Sequence, residues 1–155
     1  MQKKGDKVFD LHKEKRKSMI RQLSVFVENK PGSFLRVTKA LHERGIALQG
    51  FCSVDSPEFG ILRIVVDRPE EAQRLLDEEG FMAKCYDVIA VEIGEQDTID
   101  ALLKACCESN ISVNYMYSAF GDGCSHSVAI LYSEYLDETE EMLRGKGFNC
   151  LNKLA

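Results

Sequence analysis

No apolar run in this 155-residue chain reaches the length of about 18 residues that a membrane span needs. The longest blocks, such as ILRIVV at 61–66, have strand length. No C-x-x-C pair occurs among the six cysteines (Cys52, Cys85, Cys106, Cys107, Cys124 and Cys150). The adjacent Cys106 and Cys107 would point about 100° apart on a helix, which suits neither a bridge nor a shared metal. Cys124-x-His126 lacks further ligands nearby, so the expectation is reduced, packed thiols in a cytoplasmic protein, with no metal and no cofactor. Histidine is scarce. His12 lies in a charged tail, His42 on the polar side of a helical stretch, and His126 near a turn with no evident partner. No nucleophile stands beside a base, so no catalytic residue is nominated and the chain is expected not to be an enzyme.

A further absence is of basic charge where the chain is globular. The net charge is −5, yet residues 1–18 carry seven basic and three acidic residues, so the remainder carries −9 (−9 + 4 = −5). Residues 1–18 read as a disordered tail, a cloning remnant or an extension upstream of a second start at Met19. The rival, a nucleic-acid or membrane-surface arm, lacks aromatic interleaving and an amphipathic period. Nor does an apolar segment of about 7–15 residues follow the charged start, so no secretory signal is expected. The third strands of the two halves, FGILRIVV and SHSVAILY, lack the aromatic pair that stacks on bases, which excludes RNA binding alongside the acidic body. The expected partners therefore include neither nucleic acid nor membrane.

What is present is a soluble composition, 45% apolar and 29% charged, and an internal repeat. IRQLSVFVE alternates as a strand, with Leu23, Val25 and Val27 on one face. Phe34, Val37 and Leu41 then recur as a helical stripe with Ala40 beside them, and Gly45 ends it. ALQGFCSV and ILRIVVD read as strands around the turn SPEFG. DRPEEAQRLLDEEG reads as a helix with Asp67 at its start and Ala72, Leu75 and Leu76 buried, and FMAKCY as a fourth strand. The order βαββαβ then restarts at VIAVEI (88–93). The helix DTIDALLKACCESN follows, with Asp97 as cap and Ile99, Leu102, Leu103 and Cys106 as its stripe. ISVNYMYSAF, the turn GDG, SVAILY and the helix ETEEMLRGKGF complete the second copy. GIALQGFCS at 45–53 lies over NISVNYMYS at 110–118, an offset of 65, and Gly80-Phe81 lies over Gly147-Phe148 at 67. Matched element order with a near-constant offset is the mark of a duplication. The boundaries this predicts are a tail at 1–18 and two domains at 19–87 and 88–152, an α+β chain of antiparallel sheets with helices on one face.

The joint NKPGSF (29–34) between the first strand and helix is the most informative stretch. The first amides of a helix lack intrahelical partners and favour an anion. Pro31 removes an amide that would be unpaired, Gly32 lets a ligand approach the main chain, and Asn29 offers both a donor and an acceptor. A tight turn capped by Asn29 is the simpler account of the local pattern taken alone.

The residues ENKPGSFLRVTKALHERGIAL, with a glycine-phenylalanine pair closing the second helix, resemble an ACT domain, and the second copy resembles another. The resemblance covers about 19–152 and is closest to small stand-alone proteins made of two tandem ACT domains. It implies a ferredoxin-like βαββαβ fold for each, side-by-side association, and amino acid binding at a domain interface near the first strand–helix loop. Carried onto this chain, the ligand-binding residues are Asn29, Lys30, Pro31, Gly32, Ser33 and Phe34. The second strand of a neighbouring domain would add Tyr115 and Tyr117, which share a strand face by the period of two and suit packing between sheets as well as ligand contact, or Gln49 and Phe51 for the reciprocal site. The second copy departs from the pattern: EQD at 95–97 has no proline or glycine and would repel a carboxylate, so one competent loop per chain is expected. The resemblance thus implies a non-enzymatic regulatory or sensory module for a small-molecule amino acid, and exposed sheet edges suit a homodimer. The alternative is an interaction subunit that regulates an amino-acid biosynthetic enzyme by contact, its pocket vestigial.

Overall fold

The computed structural model describes residues 19–95, 97–120 and 126–154. The basic segment 1–18, the GDG turn at 121–123 and Cys124 lie outside them. The described residues form seven strands and four helices, in the predicted order except that two predicted strands are one (β4) and a short strand (β7) follows the last helix: β1 (Ile20–Glu28), α1 (Ser33–Glu43), β2 (Leu48–Asp55), β3 (Phe59–Val66), α2 (Pro69–Glu78) and β4 (Met82–Ile93), then α3 (Ile99–Glu108), β5 (Tyr115–Ala119), β6 (Ser127–Tyr132), α4 (Leu136–Gly145) and β7 (Asn149–Leu151). The repeat is visible in the backbone. Asn110 has φ 55° where the first half has Gly45 at 66°, and Gly147 (92°) stands where the first half has Gly80 (86°).

Two separate sheets were expected, and this is corrected. All seven strands form one antiparallel sheet in the order β1-β3-β2-β5-β6-β4-β7, and an added β1–β4 pairing closes six of them into a ring. Two joints make the closure. The strands predicted at FMAKCY and VIAVEI are one strand, β4. It pairs with β1 from Met82 to Val88 and with β6 from Ile89 to Ile93. The predicted break at residue 87 therefore falls inside a strand, where Asp87 merely takes its turn in the alternation opposite Arg21. The second joint is the pairing of β2 with β5 at Gly50 and Ala119. A Cβ on Gly50 would sit 3.0 Å from that of Ala119, so the absent side chain is what lets the two edge strands meet.

The alternation of the strands sorts side chains into three apolar layers. Leu23, Val25 and Val27 face outward under α1 and α2, where Val37, Leu41, Ala72, Leu75 and Leu76 cover them. A matching layer lies under α3 and α4, around Ile89, Val91, Leu102, Leu131 and Leu143. The third layer contains no helix residue. Ile20, Val65, Val88, Ala90, Val128 and Ile130 meet between the inner faces of the two halves, with Leu154 from the chain end. Each half is too small for a generous core of its own, and this shared layer adds to what each buries.

Two helical stripes differ from expectation. In α1 the buried set is Ser33, Val37 and Leu41, while Phe34 is 43% exposed. In α3 it is Leu102, Ala105 and Cys106, with Ile99 and Leu103 turned outward. In α1 the small Ser33 takes the buried place beside Phe34, and in α3 Ala105 joins Leu102 and Cys106 on the buried face. Asp67 does not cap α2 either. Its Oδ1 accepts from the Ala47 amide at 2.9 Å, fastening the start of β2. Among the described residues no helix is long and apolar enough to cross a membrane, and no group of His, Cys, Asp or Glu is arranged to hold a metal.

Candidate ligand site

The NKPGSF joint borders a cavity of about 290 Å³. It is lined by Glu28, Asn29, Lys30, Gly32, Ser33, Phe34 and Leu35, with Val27, Asp55 and Gly60 from the strands below. Gly32 is the N-cap of α1 at φ 84°, and no side chain caps the helix. The first helical bonds are Ser33 N–H to Lys30 O at 3.3 Å and Arg36 N–H to Gly32 O at 3.0 Å. Between them, the amides of Phe34 and Leu35 donate to no group among the described residues. Gly60 forms the floor, where a Cβ would come within 3.9 Å of the Phe34 ring and 3.5 Å of Val27. The cavity therefore exists partly because two glycines leave it open.

The charges around it are of both signs. The helix start supplies a partial positive field. Glu28 and Asp55 supply carboxylates, and the Lys30 ammonium at 2.6 Å holds the Glu28 carboxyl below its usual range. Lys30 is thus engaged with Glu28 rather than free to meet an incoming anion. Asn29 donates its amide at 3.4 Å to the Ser56 carbonyl, which ties the loop to the β2–β3 turn and leaves the Asn29 Oδ1 without a donor among the described residues. Pro31 is exposed and Ser33 is buried.

A comparison of the four helix starts isolates α1. The first turns of α2, α3 and α4 hold acidic residues: Glu70 and Glu71, Asp100, and Asp137 and Glu138. That of α1 holds none. Its counterpart in the repeat, α3, is also closed by a cap, though not by the residue expected. Thr98, not Asp97, accepts from the Ala101 amide at 3.0 Å. Asp97 sits one residue too early, its own amide bonding the Gly94 carbonyl at 3.2 Å. Thr98→Ala should cost about 1 kcal/mol in a urea unfolding curve, since it strips that cap from an otherwise unaltered helix.

The residues expected to complete the loop from a neighbouring strand lie elsewhere in this chain. Tyr115 and Tyr117 point into the layer between the halves, where both hydroxyls bond Gln22, at 2.9 and 2.6 Å. Phe51 packs edge-on against Phe120 with ring centroids 6.1 Å apart. Gln49 lines a different cavity, of about 370 Å³, beside Met19, Arg21 and Lys153. Of the nominated loop residues all but Pro31 line the cavity, and these strand residues do not join them within one chain. Sequence reasoning missed Glu28, Asp55 and Gly60. Glu28 directly precedes the loop and was in plain view, whereas Asp55 and Gly60 reach the site only through the β3 register that sets Gly60 opposite both Val27 and Asp55. His126 also differs from expectation, its Nδ1 lying 2.8 Å from Glu92 Oε1.

The pattern of the ACT domain pair family matches residues 18–153. The chain belongs to that family. A protein from Bacteroides thetaiotaomicron of known crystal structure is 28% identical, with TM-score 0.78 over 87% of this chain and 94% of that one. The ligand-free regulatory subunit of aspartate kinase from Thermus thermophilus is 18% identical, with TM-score 0.57 over 84% and 94% of the respective chains. Its counterpart from Thermus flavus is 19% identical, with TM-score 0.55 over 83% and 92%. At those identities the two subunits share the fold of this ACT domain pair. No curated protein matches the chain in sequence.

Proposed function

We propose that this ACT domain pair is a non-catalytic regulatory module that binds a free amino acid in the cavity at Asn29–Phe34. Each half is read as a ferredoxin-like unit. The observation that carries the reading is the start of α1, the one helix start with neither a side-chain cap nor an acidic first-turn residue, opening on a cavity. The uncapped amides of Phe34 and Leu35 suit a carboxylate. Glu28, Asp55 and the Asn29 carbonyl oxygen suit an ammonium group across the cavity. An amino acid carries both groups a few ångströms apart, whereas a simple anion would meet two carboxylates. The fold shared with two proteins described as regulatory subunits is consistent with this role. Tyr115, Tyr117 and Gln49 are assigned to the seam between the halves and its far end, and a homodimer would have to complete the cavity with other residues.

Thermal-shift measurement with the common amino acids tests the proposal. At 100 times its Kd a ligand adds about 2.7 kcal/mol, or roughly 5–10 °C for a chain of this size. Titration calorimetry should return one site per chain, because Thr98 closes the second helix start. The absence of a shift with every amino acid, or two equivalent sites, overturns the reading.

A further inference from the structure

On the inner face of the first half, one row crosses four strands. Lys84 of β4 lies opposite Ser24 of β1, Ser24 opposite Arg63 of β3, and Arg63 opposite Cys52 of β2. Side chains so paired are about 4.5–5.5 Å apart at Cβ. Tyr115 reaches over this row from the second half, with the Arg63 guanidinium 3.8 Å from its ring centroid, and Tyr132 stacks behind it at 5.2 Å.

A count of donors and acceptors in this cluster does not balance. The Gln22 amide donates to Ser24 Oγ at 3.3 Å and to Tyr115 Oη at 2.9 Å, and its oxygen accepts from Tyr117 at 2.6 Å. Gln22 thereby uses both of its amide protons and one of its two acceptor sites, while the hydroxyl protons of Ser24 and Tyr115 meet no acceptor among the described residues. The Arg63 guanidinium meets the Cys52 thiol and the Tyr115 hydroxyl, but its Nε is buried without a partner. Neither Arg63 nor Lys84 forms an ion pair among the described residues, in a body where acids outnumber bases. Such a cluster, two cations and two hydroxyls with donors in excess, is chemically suited to an anion. Buried donors are ordinarily paired, and leaving one unpaired costs more on a charged group than on a neutral one.

The next row tells what the anion carries. Met82, Phe26, Ile61 and Val54 lie side by side across the same four strands, with Met82 62% and Val54 51% exposed. An apolar strip thus runs from the charged row toward open solvent.

We propose that this inner face is a second ligand site, distinct from the loop, which takes a small organic carboxylate with a flat apolar body. Arg63 and Lys84 neutralise the carboxylate, Ser24 and Tyr115 donate to it, and the Phe26–Met82 strip carries the body. The loop cavity opens on the helix side of the same sheet, so the two sites lie on opposite faces. The loop asks for a zwitterion; this face holds no carboxylate in either row to receive an ammonium.

The test uses the full chain and sodium benzoate as probe, with sodium phosphate and sodium chloride at equal ionic strength, read by tyrosine fluorescence and by the Arg side-chain Nε–H resonances. Benzoate should bind saturably and shift one Nε–H signal, with phosphate and chloride much weaker. Arg63→Met keeps the stem, removes the donors, and should weaken benzoate binding about tenfold or more. Lys84→Met, at an exposed position, should weaken it by a smaller factor and decides the matter if Arg63→Met does not fold. No saturable benzoate binding overturns the proposal. So does binding unchanged in both variants, and so does phosphate binding as tightly as benzoate.

Discussion

Ile130→Ala should lower the stability of the whole chain by about 2–5 kcal/mol, the range for truncating a buried aliphatic side chain that leaves a cavity. Ile130 is fully buried, on β6, and contacts neither helical layer; it belongs to the apolar layer between the halves. Its strand neighbours are Ala90 of β4 and Tyr117 of β5, the two strands through which the second half joins the first. If the ring makes the two halves one cooperative unit, urea should unfold the variant in a single transition at lower midpoint with an unchanged slope. A chain whose halves fold independently would behave differently. The second half alone would lose stability, and the curve would split into two steps. A split curve would therefore show the ring to be a contact between independent domains.

The order of elements was legible because each one advertises itself locally. Period-two alternation runs through IRQLSVFVE, and Gly45, Gly80, Asn110 and Gly147 sit where the chain needs a positive φ. The closure of the ring was not legible, for a physical reason. It depends on which face of β1 is inner, and Gln22 and Ser24 on that face read as the solvent side of an ordinary amphipathic strand. In fact Gln22 is fully buried, because Tyr115 and Tyr117 meet its polar groups from the other half. A buried glutamine with both ends bonded looks the same in sequence as an exposed one. The same blindness affected Tyr115 and Tyr117 themselves. The period of two puts them on one strand face, but whether that face packs between sheets or meets a loop depends on the partner strand, and here it packs into the seam against Gln22. At the candidate site, the loop residues could be read because they are contiguous, and Asp55 and Gly60 could not because strand register brings them there.

Gly32→Asn should abolish the amino acid stabilisation of about 2.7 kcal/mol while leaving the fold within about 1 kcal/mol of the parent. The choice of residue matters. Gly32 adopts φ 84°, where a β-branched side chain such as that of valine carries strain of about 1–2 kcal/mol, so Gly32→Val would confuse lost binding with lost folding. Asparagine tolerates the left-handed region, and a Cβ at Gly32 would meet nothing within 4 Å, so the side chain has room. That room is the mouth of the cavity over the amides of Phe34 and Leu35. An added side chain there competes for the space a carboxylate would occupy, without disturbing the sheet beneath. The comparison with Thr98→Ala separates the two helix starts. The threonine variant should lose stability and keep the full ligand response; the Gly32 variant should keep stability and lose the response. If Gly32→Asn still gains the full shift from the amino acid that stabilises the parent, the ligand does not enter at the start of α1, and the uncapped amides there are simply solvated.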